Sequence, residues 1–144
     1  MSTATRRRSQ PALGWGEPSS HVPREELAVL RAWHPNVLIG GPRDTVSAML
    51  ASLQGVFRPI VVRWTTGAAL PVPPGTNART LVLEDVDALS RDEQEQLFLW
   101  LKGNDRTVQV FATTSKPLAQ LVNSGEFESR LYYALNVIHI KIPS

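Results

Sequence analysis

The sequence predicts an α/β fold in which a parallel sheet is covered by helices on both faces. Short apolar runs alternate along the chain with segments of helical periodicity, from about residue 23 to residue 142. Such alternation is typical of strand–helix–strand units, whose strands lie parallel. Several runs are apolar without interruption, as expected where both faces of a strand are buried. We therefore expect a three-layer α/β/α architecture with a five-stranded parallel sheet.

Composition excludes several classes of function. The chain has 144 residues and no cysteine, so it is long enough for one domain, and disulfides, thiolate metal sites and cysteine nucleophiles are ruled out. His21, His34 and His139 are far apart in sequence, so no metal site is predicted. No apolar run reaches the ~18 residues of a membrane span, and no signal peptide is recognisable. We expect a cytoplasmic protein without membrane contacts.

Residues 1–22 are predicted to form a disordered basic tail in front of a domain over residues 23–144. The tail is rich in Ser, Pro and Gly, a composition that buries too little apolar surface to fold. Its arginine triplet at 6–8 outweighs Glu17, so the charge of the first twenty residues is 3 − 1 = +2, that of the whole chain. Together with Trp15, the triplet leaves nucleic-acid binding open as an alternative, although three charges give only a weak, salt-sensitive contact.

The first helix is predicted from about Pro23 to Trp33. Proline is favoured in the first turn of a helix, and the two glutamates that follow it are favoured by the helix dipole. His34 precedes a proline, a position that disfavours helical backbone, so the helix ends there. The first strand is predicted at residues 36–39, of which 37–39 are apolar.

The second helix is predicted to begin at Asp44, as its N-cap, and to be closed by Gly55. Its apolar residues recur at the spacing i, i+3, i+4 and i+7 that marks one buried helical face: Val46, Met49, Leu50 and Leu53.

The second and third strands are predicted at residues 59–64 and 80–83. A Gly- and Pro-rich segment separates them and is predicted to be a loop. Ser90 and Glu93 have the spacing of a capping box, which begins a helix running to Leu101. The remaining predicted elements alternate in the same way: a strand at 108–113, a short helix at about 118–122, a last helical turn at 127–135 and a strand at 137–142.

In open parallel sheets the functional crevice lies at the carboxyl ends of the strands. Here that edge is predicted to gather residues 40–45, the acids Glu84 and Asp85, and residues 113–115. A P-loop ATPase uses these three places for phosphate, for Mg²⁺ and for a sensor residue.

The segment VLIGGPRDTVSAML, residues 37–50, lies where a nucleotide-binding protein carries its phosphate loop. Such a loop needs glycines, a lysine that reaches the phosphates and a hydroxyl for Mg²⁺. Counting from Gly41 as the first glycine, the second glycine is replaced by Val46, the lysine by Ser47 and the hydroxyl by Ala48. The segment therefore has the strand–turn–helix pattern of a phosphate loop but lacks its second glycine, its lysine and its hydroxyl.

Three ordered blocks resemble the central AAA+ domain of sigma-54-dependent transcriptional activators, the NtrC-like family. GEFESRLYYALNVIHIKIP, residues 125–143, resembles the family's GxFREDLYYRLNVxxIxLP. ARTLVLEDVDALSRDEQEQLFLWL, residues 78–101, resembles GTLFLDEIxxLxxxxQxxLLxxL, and VQVFATTSKPLAQLV, residues 108–122, resembles VRxIATTNxDLxxLV. The resemblance covers about residues 25–143. It implies a P-loop-type AAA+ core that hydrolyses ATP in a ring to remodel the sigma-54 polymerase holoenzyme.

The same resemblance implies that the nucleotide site is degenerate. The Walker B order, Asp then Glu in the family, is inverted here. The positions that remain recognisable are treated as vestigial: Gly40, Gly41, Asp44, Thr45 and Ser47 of Walker A, Glu84 and Asp85 of Walker B, and Ser115 at the sensor position.

The sequence also departs from the family at positions used for ATP hydrolysis and for contact with sigma-54. The two arginines that the family supplies in trans are replaced by Glu128 and Ala134, and nearby Arg130 stands at the family's Asp position. The segment between the second and third strands is too short for the family's GAFTGA loop, which contacts sigma-54. The sequence ends at Ser144, so the lid domain is expected to be absent.

These observations favour a non-catalytic interaction module, a pseudo-ATPase without a bound cofactor or metal. The partner is expected to be a protein, either a related AAA+ subunit or a component of the transcription machinery, with Leu99 and Trp100 in the apolar run LFLWL as candidate contacts. An alternative is that these two residues pack internally. A second alternative is a weak ATP/Mg-binding domain of a sigma-54-dependent regulator. The acids Glu84, Asp85 and Asp87 are otherwise interpreted as a solvated strand end.

Overall fold

The computed structural model describes residues 22–65, 68–69, 78–103 and 108–142. Its helices are α1 Arg24–Trp33, α2 Arg43–Ser52, α3 Arg91–Gly103, α4 Leu118–Asn123 and α5 Ser129–Leu135. Its strands are β1 Val37–Gly40, β2 Val61–Trp64, β3 Thr80–Leu83, β4 Gln109–Thr114 and β5 Ile138–Lys141. Residues 1–21 of the predicted tail lie outside the described residues, whereas its last residue, Val22, is buried against α1 and α2, so the predicted boundary is wrong at that residue.

The five strands form one sheet in the order β2-β3-β4-β1-β5, and every neighbouring pair is parallel. Strand β1 lies between β4 and β5, with Val37 opposite both Phe111 and Ile138. All six residues of β4 are buried, as expected for a strand paired on both edges and covered on both faces. The predicted α/β class and parallel five-stranded sheet are confirmed.

Helices cover both faces of the sheet. Leu38 packs in one apolar cluster with Leu97 of α3 and Leu131 of α5. Its neighbours Val37 and Ile39 pack in a second cluster with residues of α1 and α2. Successive side chains of a strand point to opposite faces, so β1 contributes to both cores and the predicted three layers are present.

Asn36 fixes the position at which β1 begins. Its Oδ1 accepts a hydrogen bond from the backbone N–H of Val110 at 3.0 Å, which extends the contact with β4 by one residue. Its Nδ2 donates to the carbonyl of Ala134 in α5 at 3.0 Å, and its own carbonyl accepts from the N–H of Ile138 at 3.0 Å. One side chain therefore connects β1 with β4 and α5, while the backbone connects it with β5.

The predicted limits of the second helix are wrong. Pro42, not Asp44, is the N-cap residue, and it makes no side-chain capping bond; Asp44 is exposed in the first turn of α2. The helix ends at Ser52 instead of at Gly55, because the chain tightens into a 3₁₀ turn at Gln54–Val56. Proline suits the start of a helix because the first turn has no intrahelical partner for its N–H groups.

The predicted capping box is confirmed. The N–H of Ser90 donates to Oε1 of Glu93 at 2.9 Å, and the N–H of Glu93 donates to Oγ of Ser90 at 3.1 Å. These reciprocal bonds satisfy two backbone donors at the start of α3. The other predicted strands and helices agree with the structure to within two residues at each end.

No helix in the described part of the chain is long and apolar enough to cross a membrane.

Asn36→Ala is expected to lower the free energy of unfolding by about 2–4 kcal/mol, because it leaves a backbone N–H of β4 and a carbonyl of α5 without their partner. Asn123→Ala, at an exposed position of α4, is the matched control and is expected to change stability by less than about 0.5 kcal/mol. Urea denaturation followed by circular dichroism measures both. Equal effects of the two substitutions would contradict the role of Asn36.

Candidate functional site

The three predicted segments meet at the carboxyl edge of the sheet, around a cavity of about 80 Å³. The residues that line it come from the start of α2 and from the ends of β3 and β4: Arg43, Val46, Ser47, Glu84, Asp85, Thr113, Thr114 and Ser115. The predicted convergence is therefore confirmed. Pockets for small molecules usually enclose ~300–1,000 Å³, so this one is small for a nucleotide.

Arg43 pairs with Asp85 across this cavity, a contact that sequence reasoning missed. The guanidinium Nη1 lies 2.7 Å from Oδ2 of Asp85, and the two side chains are 67% and 25% exposed. Asp85 has a left-handed backbone, with φ 57°, which Asp tolerates better than most residues. Its N–H donates to Oγ1 of Thr113 at 3.1 Å, so its backbone and its carboxylate both have partners in the site.

The other two acids of the strand end are also paired. Oε2 of Glu84 lies 4.0 Å from Nη1 of Arg63. Asp87 accepts a hydrogen bond from Oγ1 of Thr114 at 2.8 Å and lies 4.0 Å from the Lys116 amine, with a side chain only 7% exposed. The interpretation of these acids as a solvated strand end is therefore wrong for Asp87, whose carboxylate is buried against a hydroxyl.

The turn between β1 and α2 is too tight to follow the course of a phosphate loop. Strand β1 ends at Gly40 and α2 begins at Arg43, so the linker consists of Gly41 and Pro42. The N–H of Gly41 donates to the carbonyl of Thr114 at 3.2 Å, and proline has no N–H to donate. The next positions that a phosphate loop would use lie inside a helix.

Gly41 is required here by packing. A Cβ at this position would lie 2.7 Å from the carbonyl oxygen of Ile142 and 2.8 Å from its Cβ, and the backbone has φ 154°. Real Cβ atoms do not approach other atoms so closely. The first glycine of the sequence motif therefore allows β1 and the end of β5 to lie side by side.

The remaining Walker A and sensor positions are only partly brought together. Ser47 and Ser115 are exposed and line the small cavity, whereas Asp44 and Thr45 do not line it. Gly40, Gly41 and Ser115 line a larger, adjoining cavity on the other side of β1. No group of three or more His, Asp or Glu side chains is arranged to hold a metal ion within the described ranges.

Glu128, at an arginine position of the resemblance, is the N-cap of α5. Its carboxylate accepts from the N–H of Arg130 at 3.2 Å and from Nε of the same residue at 2.7 Å. These hydrogen bonds hold the pKa of Glu128 below its ordinary value. The Arg130 guanidinium also lies 4.6 Å from the ring centre of Phe98.

Gln94 joins α3 to the segment before α5, a role that sequence reasoning missed. This buried side chain donates to the carbonyls of Leu89 and Glu126, each at 3.2 Å, and accepts from the N–H of Glu128 at 2.8 Å. The available signal was a polar residue on the same helical face as Leu97. Such a residue on a buried face usually has specific partners.

The two candidate contact residues differ in exposure. Leu99 is 57% exposed, whereas Trp100 is half-buried and packs against the apolar cluster on the α3 side of the sheet. Internal packing, the alternative considered for both residues, therefore applies to Trp100.

Comparison with known proteins identifies the family. A sequence model of the family described as "Sigma-54 interaction domain" matches residues 24–144. The chain belongs to the sigma-54 interaction domain family. It is 30% identical over 114 residues to the DNA-binding transcriptional regulator NtrC of Rhizobium meliloti (strain 1021), a match that covers 71% of this chain and 22% of that relative. It is 31% identical over 78 residues to the C4-dicarboxylate transport transcriptional regulatory protein DctD of Pseudomonas aeruginosa, covering 46% of this chain and 17% of that protein.

Solved structures of family members share the fold. The P-loop NTPase domain of a sigma-54 transport activator from E. coli matches with a TM-score of 0.54 and 21% identity, over 83% of this chain and 93% of that chain. NtrX from Brucella abortus in complex with ADP matches with a TM-score of 0.60 and 18% identity, over 84% of this chain and 35% of that chain. The recognised resemblance and the P-loop, AAA+ fold are thus confirmed, and the family is an ATPase-type domain of transcription regulators.

Gly41→Ala is expected to destabilise the domain by about 1–3 kcal/mol, because the added methyl group overpacks the contact with Ile142. Gly55→Ala is the matched control, since a Cβ there meets nothing within 4 Å; we expect it to be neutral or to stabilise by about 0.4–1 kcal/mol. Thermal unfolding followed by circular dichroism compares the two variants. A Gly41→Ala variant as stable as the parent would show that β1 and β5 are not held this closely.

Proposed function

We propose that this domain is a non-catalytic member of its family, a pseudo-ATPase that acts as a protein-interaction module in bacterial transcription regulation. The observation that carries the proposal is the start of α2 at Arg43, which only two residues, Gly41 and Pro42, separate from Gly40. A phosphate loop binds its ligand through successive backbone N–H groups that face the phosphates. Here Gly41 uses its N–H on Thr114 and Pro42 has none, so only the first-turn N–H groups of α2 remain free of intrahelical partners. No loop precedes them that could surround a phosphate.

Missing side-chain chemistry adds to this argument. The position of the phosphate-binding lysine holds Ser47, and the carboxylate of Asp85 is already paired with Arg43. An exposed ion pair contributes only ~0.2–1 kcal/mol, so the pair alone is no barrier to a bound Mg²⁺. The tight turn and the absent lysine therefore weigh more than the occupied carboxylate, because electrostatic contacts to the phosphates supply most of the catalysis of phosphoryl transfer.

The arginines that a neighbouring subunit would supply to the nucleotide site in a ring are also replaced. At the two arginine positions of the family resemblance, Glu128 caps α5 and Ala134 is half-buried. An arginine finger contributes ~10³–10⁵ in rate, and a carboxylate in its place opposes the developing negative charge. A ring of such subunits is therefore not expected to hydrolyse ATP.

The partner that we propose is a protein, either a related AAA+ subunit or a component of the transcription machinery, in the cytoplasm. Support comes from the family and from Leu99, an apolar side chain that is 57% exposed beside the half-buried Trp100 on α3. The chain spans about a fifth of the length of the curated relatives it matches, so their activities are not transferred to it.

Isothermal titration calorimetry with ATP and Mg²⁺ tests the catalytic part of the proposal. We expect a dissociation constant weaker than about 1 mM, equivalent to a binding free energy smaller than about 4 kcal/mol. The same titration on Ser47→Lys and on Val46→Gly/Ser47→Lys tests whether restoring the lysine is enough to restore nucleotide binding. We expect neither variant to bind at micromolar concentrations, because the turn before α2 is unchanged.

Circular dichroism establishes that both variants are folded, which matters because Val46 is buried. Micromolar affinity in the parent chain would overturn the pseudo-ATPase proposal and support the weak ATP/Mg-binding alternative. Micromolar affinity in Ser47→Lys alone would show that a single substitution had removed nucleotide binding.

Leu99→Glu tests the interaction surface. Purified sigma-54 and the isolated AAA+ domain of a sigma-54-dependent activator serve as separate probes in biolayer interferometry. We expect micromolar binding to one of them and a loss of at least tenfold in Leu99→Glu, because a carboxylate would be buried at the contact. Gln54→Glu introduces the same charge at an exposed position on the opposite face of the sheet and should leave binding unchanged. Binding to neither probe, or equal loss in both variants, would contradict the proposed partner surface.

A further inference from the structure

A second, larger cavity lies on the α4 and α5 side of β1. Its volume is about 490 Å³, within the range of pockets that hold small molecules. It shares Thr114 and Ser115 with the small cavity, but it is not lined by Arg43, Ser47 or the acids at the end of β3. It includes Gly40, Gly41 and Ser115 of the vestigial nucleotide positions, but its charged side chains, Lys116 and Lys141, are not among those positions.

The lining of this cavity combines an apolar interior with basic side chains. Leu38 of β1, Leu118 of α4 and Tyr132 of α5 supply the apolar part. Lys116 and Lys141 supply positive charge, and none of the described residues that line the cavity is an Asp or a Glu. Apolar walls with a few placed polar groups are typical of ligand sites.

The fold places the basic groups together. His139 and Lys141 are two residues apart on β5, so their side chains leave the same face of the sheet. The Nε2 atom of His139 lies 3.7 Å from the position that a Cβ on Gly40 would take, which sets the imidazole beside the end of β1. Lys116 joins them from the segment between β4 and α4.

Both lysine side chains are exposed to a ligand, and Lys116 also lies near Asp87. The Lys116 amine lies 4.0 Å from the carboxylate of Asp87 and the side chain is 64% exposed. Lys141 makes no ion pair with any residue of the described ranges. Desolvation, and to a lesser extent the charge of Lys141, lower the pKa of His139, so its imidazole is a neutral hydrogen-bonding group at neutral pH.

We propose that this cavity binds a small organic anion whose acidic group is held by Lys116 and Lys141. The apolar body of the ligand lies against Leu38, Leu118 and Tyr132. The proposal does not depend on the loss of nucleotide binding, because it concerns different side chains. The ligand class is an aromatic or aliphatic molecule with a single phosphate or carboxylate group, and phenyl phosphate represents it.

The test is a titration of the ¹⁵N-labelled protein with phenyl phosphate, followed by two-dimensional NMR and by calorimetry. We expect saturable shifts of the Gly40, Lys116 and Lys141 amides. Phenol and inorganic phosphate, which carry only the ring or only the charge, should each bind at least fivefold more weakly. Shifts centred on Ser47 and Asp85 would overturn the proposal, because they would place the anion at the vestigial nucleotide site.

Lys141→Gln and Lys116→Gln are each expected to weaken phenyl phosphate binding by roughly tenfold, the effect of losing one charge-assisted hydrogen bond. Lys102→Gln is the matched control, since it removes the same charge from an exposed position at the end of α3 that does not line this cavity. It should leave binding unchanged. Equal weakening in all three variants, or inorganic phosphate binding as tightly as phenyl phosphate, would mean non-specific attraction to basic surface and would overturn the proposal.

Discussion

The close approach of Gly41 to Ile142 at the carboxyl edge of the sheet fixes the geometry of the site around it. The N–H of Ile142 donates to the carbonyl of Gly40 at 2.7 Å, and the N–H of Gly41 donates to the carbonyl of Thr114 at 3.2 Å. Strand β1 is thus held on both edges up to the residue where it ends. Only Pro42 remains before α2 begins, so the helix starts directly above the strand ends and Arg43 reaches Asp85. A looser turn would have left room for a ligand where the helix now stands.

Three polar side chains hold the layers together. Asn36 connects β1, β4 and α5, and Gln94 connects α3 with the segment that leads into α5. The Glu128 carboxylate accepts a hydrogen bond from the backbone N–H of Arg130 at the start of α5. Each hydrogen bond contributes only ~0.5–1.5 kcal/mol net, but an unsatisfied buried partner costs ~1–3 kcal/mol. Such residues therefore specify how the helices meet the sheet more than they add to overall stability.

The sequence was sufficient for the fold because strands and helices alternate with clear periods, and the capping box at Ser90 was recognisable from spacing alone. The limits of α2 were wrong because local rules favoured Asp44 as a cap and Gly55 as a stop. The structure instead begins the helix where Gly41 packs on Ile142, a contact between residues a hundred positions apart in sequence. For the same reason, the sequence predicted which segments meet at this edge but did not predict the role of Arg43. Its pairing with Asp85 depends on the helix start, which no local pattern encodes.

Basic side chains of the same chain compensate the charge of the acids at the strand ends. In a P-loop ATPase, Mg²⁺ and basic side chains neutralise the charge that gathers at this edge. Here Arg43 pairs with Asp85, Arg63 lies near Glu84, and Lys116 lies near Asp87. These cations belong to the chain itself, so the edge is balanced in the absence of any ligand. An edge neutralised from within does not need a phosphate or a metal to offset its charge, and its acids are free to serve in packing and hydrogen bonding, as Asp87 does with Thr114.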